Sequence, residues 1–76
     1  MKRNPTEREL QVLTMLANGR TIEEASLALG VAKQEINEHV RHARRKLGAR
    51  NRTHAVALAI TAGLVQTQTK RSAKPK

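Results

Sequence analysis

Seventy-six residues with 15 Lys and Arg, six acids, no cysteine and no aromatic side chain make one small and strongly basic domain. Eleven of its apolar residues are alanine and 18 are larger (8 Leu, 5 Val, 3 Ile, 2 Met), a core thin enough to call for a staple, a metal or a second subunit. The missing cysteines exclude disulfides, thiolate zinc fingers, iron–sulfur clusters and thiol nucleophiles, and no apolar run approaches the roughly 18–20 residues that cross a bilayer; a soluble, cytoplasmic protein without membrane partners is expected.

Four glycines punctuate the chain, each after an apolar-periodic stretch, where helices often end on a left-handed residue. The first stretch, residues 6–18, opens with Thr6-x-x-Glu9. The second, residues 21–29, opens with Thr21-x-x-Glu24. Both are capping boxes, in which the hydroxyl accepts from the third helical amide and the carboxylate bonds back to the cap. The third helix, residues 33–47, has Ala32 where a capping hydroxyl would serve. The fourth, residues 51–62, begins at Asn51, a good cap. With no alternating run and no hairpin dipeptide, the fold class is all-α, four helices within residues 1–65. Residues 66–76 (QTQTKRSAKPK) lack apolar periodicity, carry four positive charges, and are expected to form a disordered basic tail.

Charge divides unevenly along this order. Residues 1–38 hold 5 basic and 6 acidic groups, net −1, whereas residues 39–76 hold 10 basic and none acidic. The whole positive excess lies in the second half, as expected where one side of a small domain meets a polyanion.

At about 100° per residue, Ile36, Val40, Ala43 and Leu47 of the third helix share one stripe. Gln34, Asn37, Glu38, Arg41 and Arg45 fall on the far side, with Arg44 beside them. Amide side chains read adenine edges, arginines read guanine or hold phosphate, and a carboxylate accepts from cytosine N4, so this face has the chemistry of base readout. The short second helix meets the third across Gly30-Val31-Ala32, the spacing of a helix-turn-helix unit whose second helix enters the major groove.

The fourth helix, with Ala55-Val56-Ala57-Leu58-Ala59-Ile60, is apolar on every side and must be covered on every side. Val56, Ala59 and Ile60 are expected to face the core. His54, Leu58, Thr61 and Val65 are expected to point outward and meet a second copy of the chain, the partner that would complete the thin core; the alternative is burial within the chain under its N-terminal segment.

These residues resemble the LuxR/GerE-type (LuxR C-terminal-like) helix-turn-helix domain over residues 6–65. The resemblance is carried by Thr6-x-Arg8-Glu9 with Val12-Leu13, by His39 followed by Lys46-Leu47, and by Arg52-Thr53-x-Ala55-Val56. It implies a stand-alone DNA-binding domain of a transcription regulator, dimerising through its fourth helix, bacterial or from a phage. Bases are then read from Asn37, Glu38 and Arg41, flanked by Gln34 and Arg45, and phosphates are held by Thr21, Lys33, Arg44, Arg50 and Arg52. The sequence departs from the family where Ala32 and Glu35 replace Ser and Thr, and where Ile22-Glu23 replaces Asn-Lys. Glu23, Glu35 and Glu38 would repel phosphates that they faced. Thr21-Ile22-Glu23-Glu24-Ala25 and Ala43-x-x-Lys46-Leu47 are also similar to region 4 of sigma factors, which has no need of a dimerising fourth helix.

The leading expectation is a sequence-specific, homodimeric DNA-binding regulator. The alternative is an antagonist that pairs through residues 51–62 with a larger LuxR-type regulator; a third reading is sequence-independent coating of DNA. No cofactor is expected. His39 and His42 lack a third ligand for a metal, and Lys46 is expected to pair with Glu9 or Glu24. Without Asp, Cys or a phosphate-cradling glycine loop, no catalytic residue is expected either.

Overall fold

The computed structural model describes residues 5–66, so the expectation for the basic tail falls almost wholly outside the described residues. Four helices follow in chain order: α1 (Glu7–Ala17), α2 (Ile22–Leu29), α3 (Lys33–Leu47) and α4 (Arg52–Thr61), with no strand among the described residues. Both capping boxes are present. Thr6 and Thr21 accept from the Glu9 and Glu24 amides, and each glutamate bonds back to its threonine's amide. The side chain of Asn51 caps α4, whereas Ala32 gives α3 no side-chain cap.

The core lies along α1 and α3. Val12 of α1 and Ile36 and Val40 of α3 gather around Ala25 of α2. In a second cluster, Leu13 and Ala43 gather with Ala55 and Ala59 of α4. Helices α2 and α4 therefore pack on the same two helices and not on each other. Five of the ten buried apolar residues are alanines, which lets the helix backbones approach closely and explains how so few large side chains suffice.

Two left-handed glycines frame α3. Gly30 (φ 70°) ends α2, and the Ser26 carbonyl accepts from both the Gly30 and Val31 amides while its hydroxyl donates to the Val31 carbonyl. One serine thus staples the three-residue turn and fixes the angle at which α3 leaves. Gly48 (φ 71°) ends α3 and starts the connector to α4.

The outward stripe expected on α4 needs correction. Val65 is buried at 5% exposure, and Leu58 is half-buried against the α1–α3–α4 cluster, while Ile60, expected inside, is 41% exposed. Two physical causes account for this. Helix α4 stops at Thr61, and after it Leu64 N–H turns back to the Ala59 carbonyl (2.8 Å), so Val65 does not continue the helical projection. Asn18 Nδ2 then holds the Gln66 carbonyl at 3.2 Å, tying this return to the end of α1. Within α4 the contact is close enough that Ala55 and Ala59 are fully buried, which turns the larger Ile60 outward beside exposed Thr53, Ala57 and Thr61.

Candidate nucleic-acid interface

Helix α3 presents the expected two faces. Ile36, Val40 and Ala43 are buried; Gln34, Asn37, Arg41 and Arg45 are exposed, Glu38 is half-buried, and Lys33 is exposed at the first turn. The amphipathic pattern alone dictates this orientation, because turning α3 around would bury arginines without partners.

Beside this face opens a shallow groove of ≈ 520 Å³. Asn37, Val40, Arg41 and Arg44 of α3 form one wall; Arg50 and Asn51 of the connector and Arg52 and Thr53 of α4 form the other. Four guanidinium-bearing residues and no acid line it, and the first turn of α4 likewise contains no acid to offset its helix dipole. A second groove, ≈ 530 Å³, continues past the start of α4 between Arg52, Thr53 and Val56 on one side and Leu16, Arg20, Thr21 and Ile22 on the other. Arg52 and Thr53 belong to both, which makes one basic surface from α3 across the α4 N-terminus to the α2 N-terminus.

The structure thus brings Asn37, Arg41, Arg44, Arg50 and Arg52 together, adds Thr21 through the second groove, and leaves Lys33, Gln34, Glu38 and Arg45 on α3 outside both grooves. Arg20, Asn51 and Thr53 line these grooves as well. Sequence reasoning gave Asn51 only a capping role and overlooked the other two, whose signal was position: each stands next to, or within the first turn after, a helix cap. Arg44 is already engaged, its Nη1 donating to the carbonyls of Ala49 (3.3 Å) and Arg50 (3.5 Å).

On the opposite edge of α3, the buried carboxylate of Glu9 accepts from Lys46 Nζ at 3.0 Å and from the Thr6 amide at 2.9 Å, and lies 3.9 Å from His42. Burial pushes this carboxyl up, but the Thr6 amide, the Lys46 ammonium and the His42 imidazole outweigh it and hold the group below its ordinary value. Lys46 is therefore a structural ion-pair partner joining α1 to α3. Glu35 pairs with His39 (3.4 Å) one turn along α3. Among the described residues no group of three or more His, Asp or Glu comes together to hold a metal, and no helix is long and apolar enough to cross a membrane.

A short serine-stapled turn, a partly exposed amphipathic second helix and a continuous basic groove beside it define a helix-turn-helix domain for DNA. Residues 5–59 match the family described as bacterial regulatory proteins, luxR family, and the chain belongs to that family: it is a LuxR-type DNA-binding domain of the transcription-regulating kind. This decides between the two resemblances in favour of the LuxR type. The transcriptional activator protein PhzR of Pseudomonas fluorescens is 42% identical over 60 residues, covering 79% of this chain and 25% of PhzR. The chain thus spans about a quarter of the length of that curated relative. Among solved structures, a phage VqmA in complex with DPO is similar at TM-score 0.74 and 34% identity over 80% of this chain and 28% of that one. The transcription factor GerE, at TM-score 0.76 and 21% identity, covers 80% of this chain and 91% of its own and shows the same fold. The relatives so matched are transcriptional regulators, not enzymes.

Proposed function

We propose that this chain binds double-stranded DNA sequence-specifically as a homodimer, with α3 in the major groove. Gln34, Asn37, Glu38, Arg41 and Arg45 face base edges; Lys33, Arg50 and Arg52 hold phosphates, with Thr21 at the far end of the basic surface. The single observation that carries this reading is the polar face of α3 opening onto a groove lined by four arginines and no acid. Arg44 acts in it chiefly as a brace of the groove wall, since its guanidinium bonds to the connector.

The second copy is assigned to the open face of α4 centred on Ile60, with Ala57 and Thr53, in place of the stripe through Leu58 and Val65. His54 and Thr61 stay at its margin. Two-fold pairing there presents two α3 helices to one duplex, so half-sites should be spaced about 10 bp apart or a multiple of it.

The test is selection from a randomised duplex library at physiological salt, followed by titration of Arg41→Ala on the enriched sequence. The expected result is a roughly palindromic motif, with Arg41→Ala costing about 1–3 kcal/mol and relaxing preference at one base position. Enrichment of no motif, with binding that falls steeply with salt, points to sequence-independent coating instead. A larger LuxR-type regulator as the α4 partner would show as a heterodimer that Arg41→Ala leaves intact.

A further inference from the structure

The groove's second wall is held by a short connector whose polar groups are tied to one another. Residues 48–51 turn from α3 to α4 with Gly48 left-handed and Ala49 buried. Arg44 Nη1 donates to the Ala49 and Arg50 carbonyls at 3.3 and 3.5 Å. From the other side the Arg50 amide donates to His54 Nδ1 at 3.0 Å, and the His54 amide donates to Asn51 Oδ1 at 2.8 Å. Arg50, whose side chain lines the groove, is thus fixed by its carbonyl from α3 and by its amide from α4.

An imidazole nitrogen accepts a hydrogen bond only when it carries no proton, so the contact requires the neutral ring with its proton on Nε2. We propose that His54 is a positioning residue for the DNA-binding groove. Its unprotonated Nδ1 holds the Arg50 backbone so that the side chains of Arg50 and Arg52 stand opposite Arg41, poised for phosphate. This role rests on the DNA-binding reading above and adds to it a residue that touches no DNA.

The experiment uses the full chain and the duplex enriched by selection, measuring affinity by fluorescence anisotropy at neutral pH. His54→Leu removes the acceptor, while His54→Asn retains an oxygen near the place of Nδ1. Expected are a loss of about three- to tenfold for His54→Leu, the worth of one hydrogen bond, and recovery to near wild type for His54→Asn. Nitrogen-15 spectra of the wild-type ring should show the Nε2–H tautomer. Equal affinity of His54→Leu and wild type, no recovery of affinity in His54→Asn, or an Nδ1–H tautomer would each overturn the role. Should His54→Leu fail to fold, the affinity of His54→Asn and the ring spectrum still decide. Wild type binding no duplex at all overturns the DNA-binding reading and this role with it, whereas tight wild-type binding unchanged by His54→Leu overturns the role alone.

Discussion

Helices α3 and α4 lie side by side on α1, yet they announce their orientation in different ways. In α3, size and polarity agree: Ile36 and Val40 go in, Asn37 and Arg41 stay out. In α4 they disagree, because Ala55 and Ala59 are fully buried while Ile60 is 41% exposed. The contrast teaches that a close helix contact selects its smallest side chains and can leave a larger apolar neighbour outside.

The largest test of this contrast sets one isoleucine against another. Ile36→Ala empties a fully buried site and should cost about 2–5 kcal/mol, enough to lower the thermal midpoint by ten degrees or more or to unfold the domain. Ile60→Ala should stay within about 0.5 kcal/mol of wild type in dilute, monomeric samples. Thermal unfolding followed by circular dichroism reads both, and equal losses would mean that the α4 face has been misassigned. Ile60→Arg sharpens the point: the fold should survive while sedimentation shows the monomer alone. Leu58→Arg, by contrast, should destabilise the monomer itself, since Leu58 packs against the core.

An intermediate effect is expected at the opposite edge of α3, where polarity rather than size does the fixing. Glu9→Gln removes the charge from hydrogen bonds with Lys46 and Thr6 and should cost about 1.5–3 kcal/mol at neutral pH. The sign of the pH dependence follows from the carboxyl's lowered value in the folded state. Its stabilisation is fully present above the unfolded carboxylate range and is lost as pH falls through the lower folded value. Wild type should therefore lose more stability on acidification than Glu9→Gln, measured by denaturant titration at about pH 7 and about pH 3. Parallel losses would leave the Glu9 pairing without energetic weight.

What the sequence disclosed divides along the same line. The helix ends were legible because Thr6, Thr21, Gly30 and Gly48 act locally, and the face of α3 was legible because its polarity is one-sided. The groove was only half legible. Arg50 and Arg52 stood out as charges, but their meeting with Arg41 depends on how residues 48–51 turn, and that turn is held by contacts from Arg44 and His54 that no spacing announces. Val65 was misplaced because the chain reverses after α4, and a helical projection carried beyond Thr61 refers to no helix. Polarity thus survives translation from sequence to structure where each residue answers for itself. It fails where the smallest residues, or a turn, decide.

The smallest effect concerns the one helix of the four without a side-chain cap. Ala32 has an extended backbone (φ −69°, ψ 152°), the conformation of an N-cap, and Glu35 stands three residues on, yet its carboxylate lies on His39 at 3.4 Å. Ala32→Ser creates Ser-x-x-Glu, the pattern that closes into a box at Thr6 and Thr21. The new hydroxyl would accept from the Glu35 amide, whose present bond is to the Ala32 carbonyl at 3.0 Å, and the carboxylate would be drawn from His39 toward the cap. A gain of about 0.5–1 kcal/mol is expected, read as a rise of a few degrees in thermal midpoint. Ala32→Asp should stabilise similarly but weaken DNA binding, because it sets a negative charge at the end of α3 that the proposed docking brings to the duplex, whereas serine adds a hydroxyl donor there. Stabilisation by both with equal affinity for DNA would place the α3 N-terminus away from the phosphates; loss of affinity with aspartate alone would place it against them.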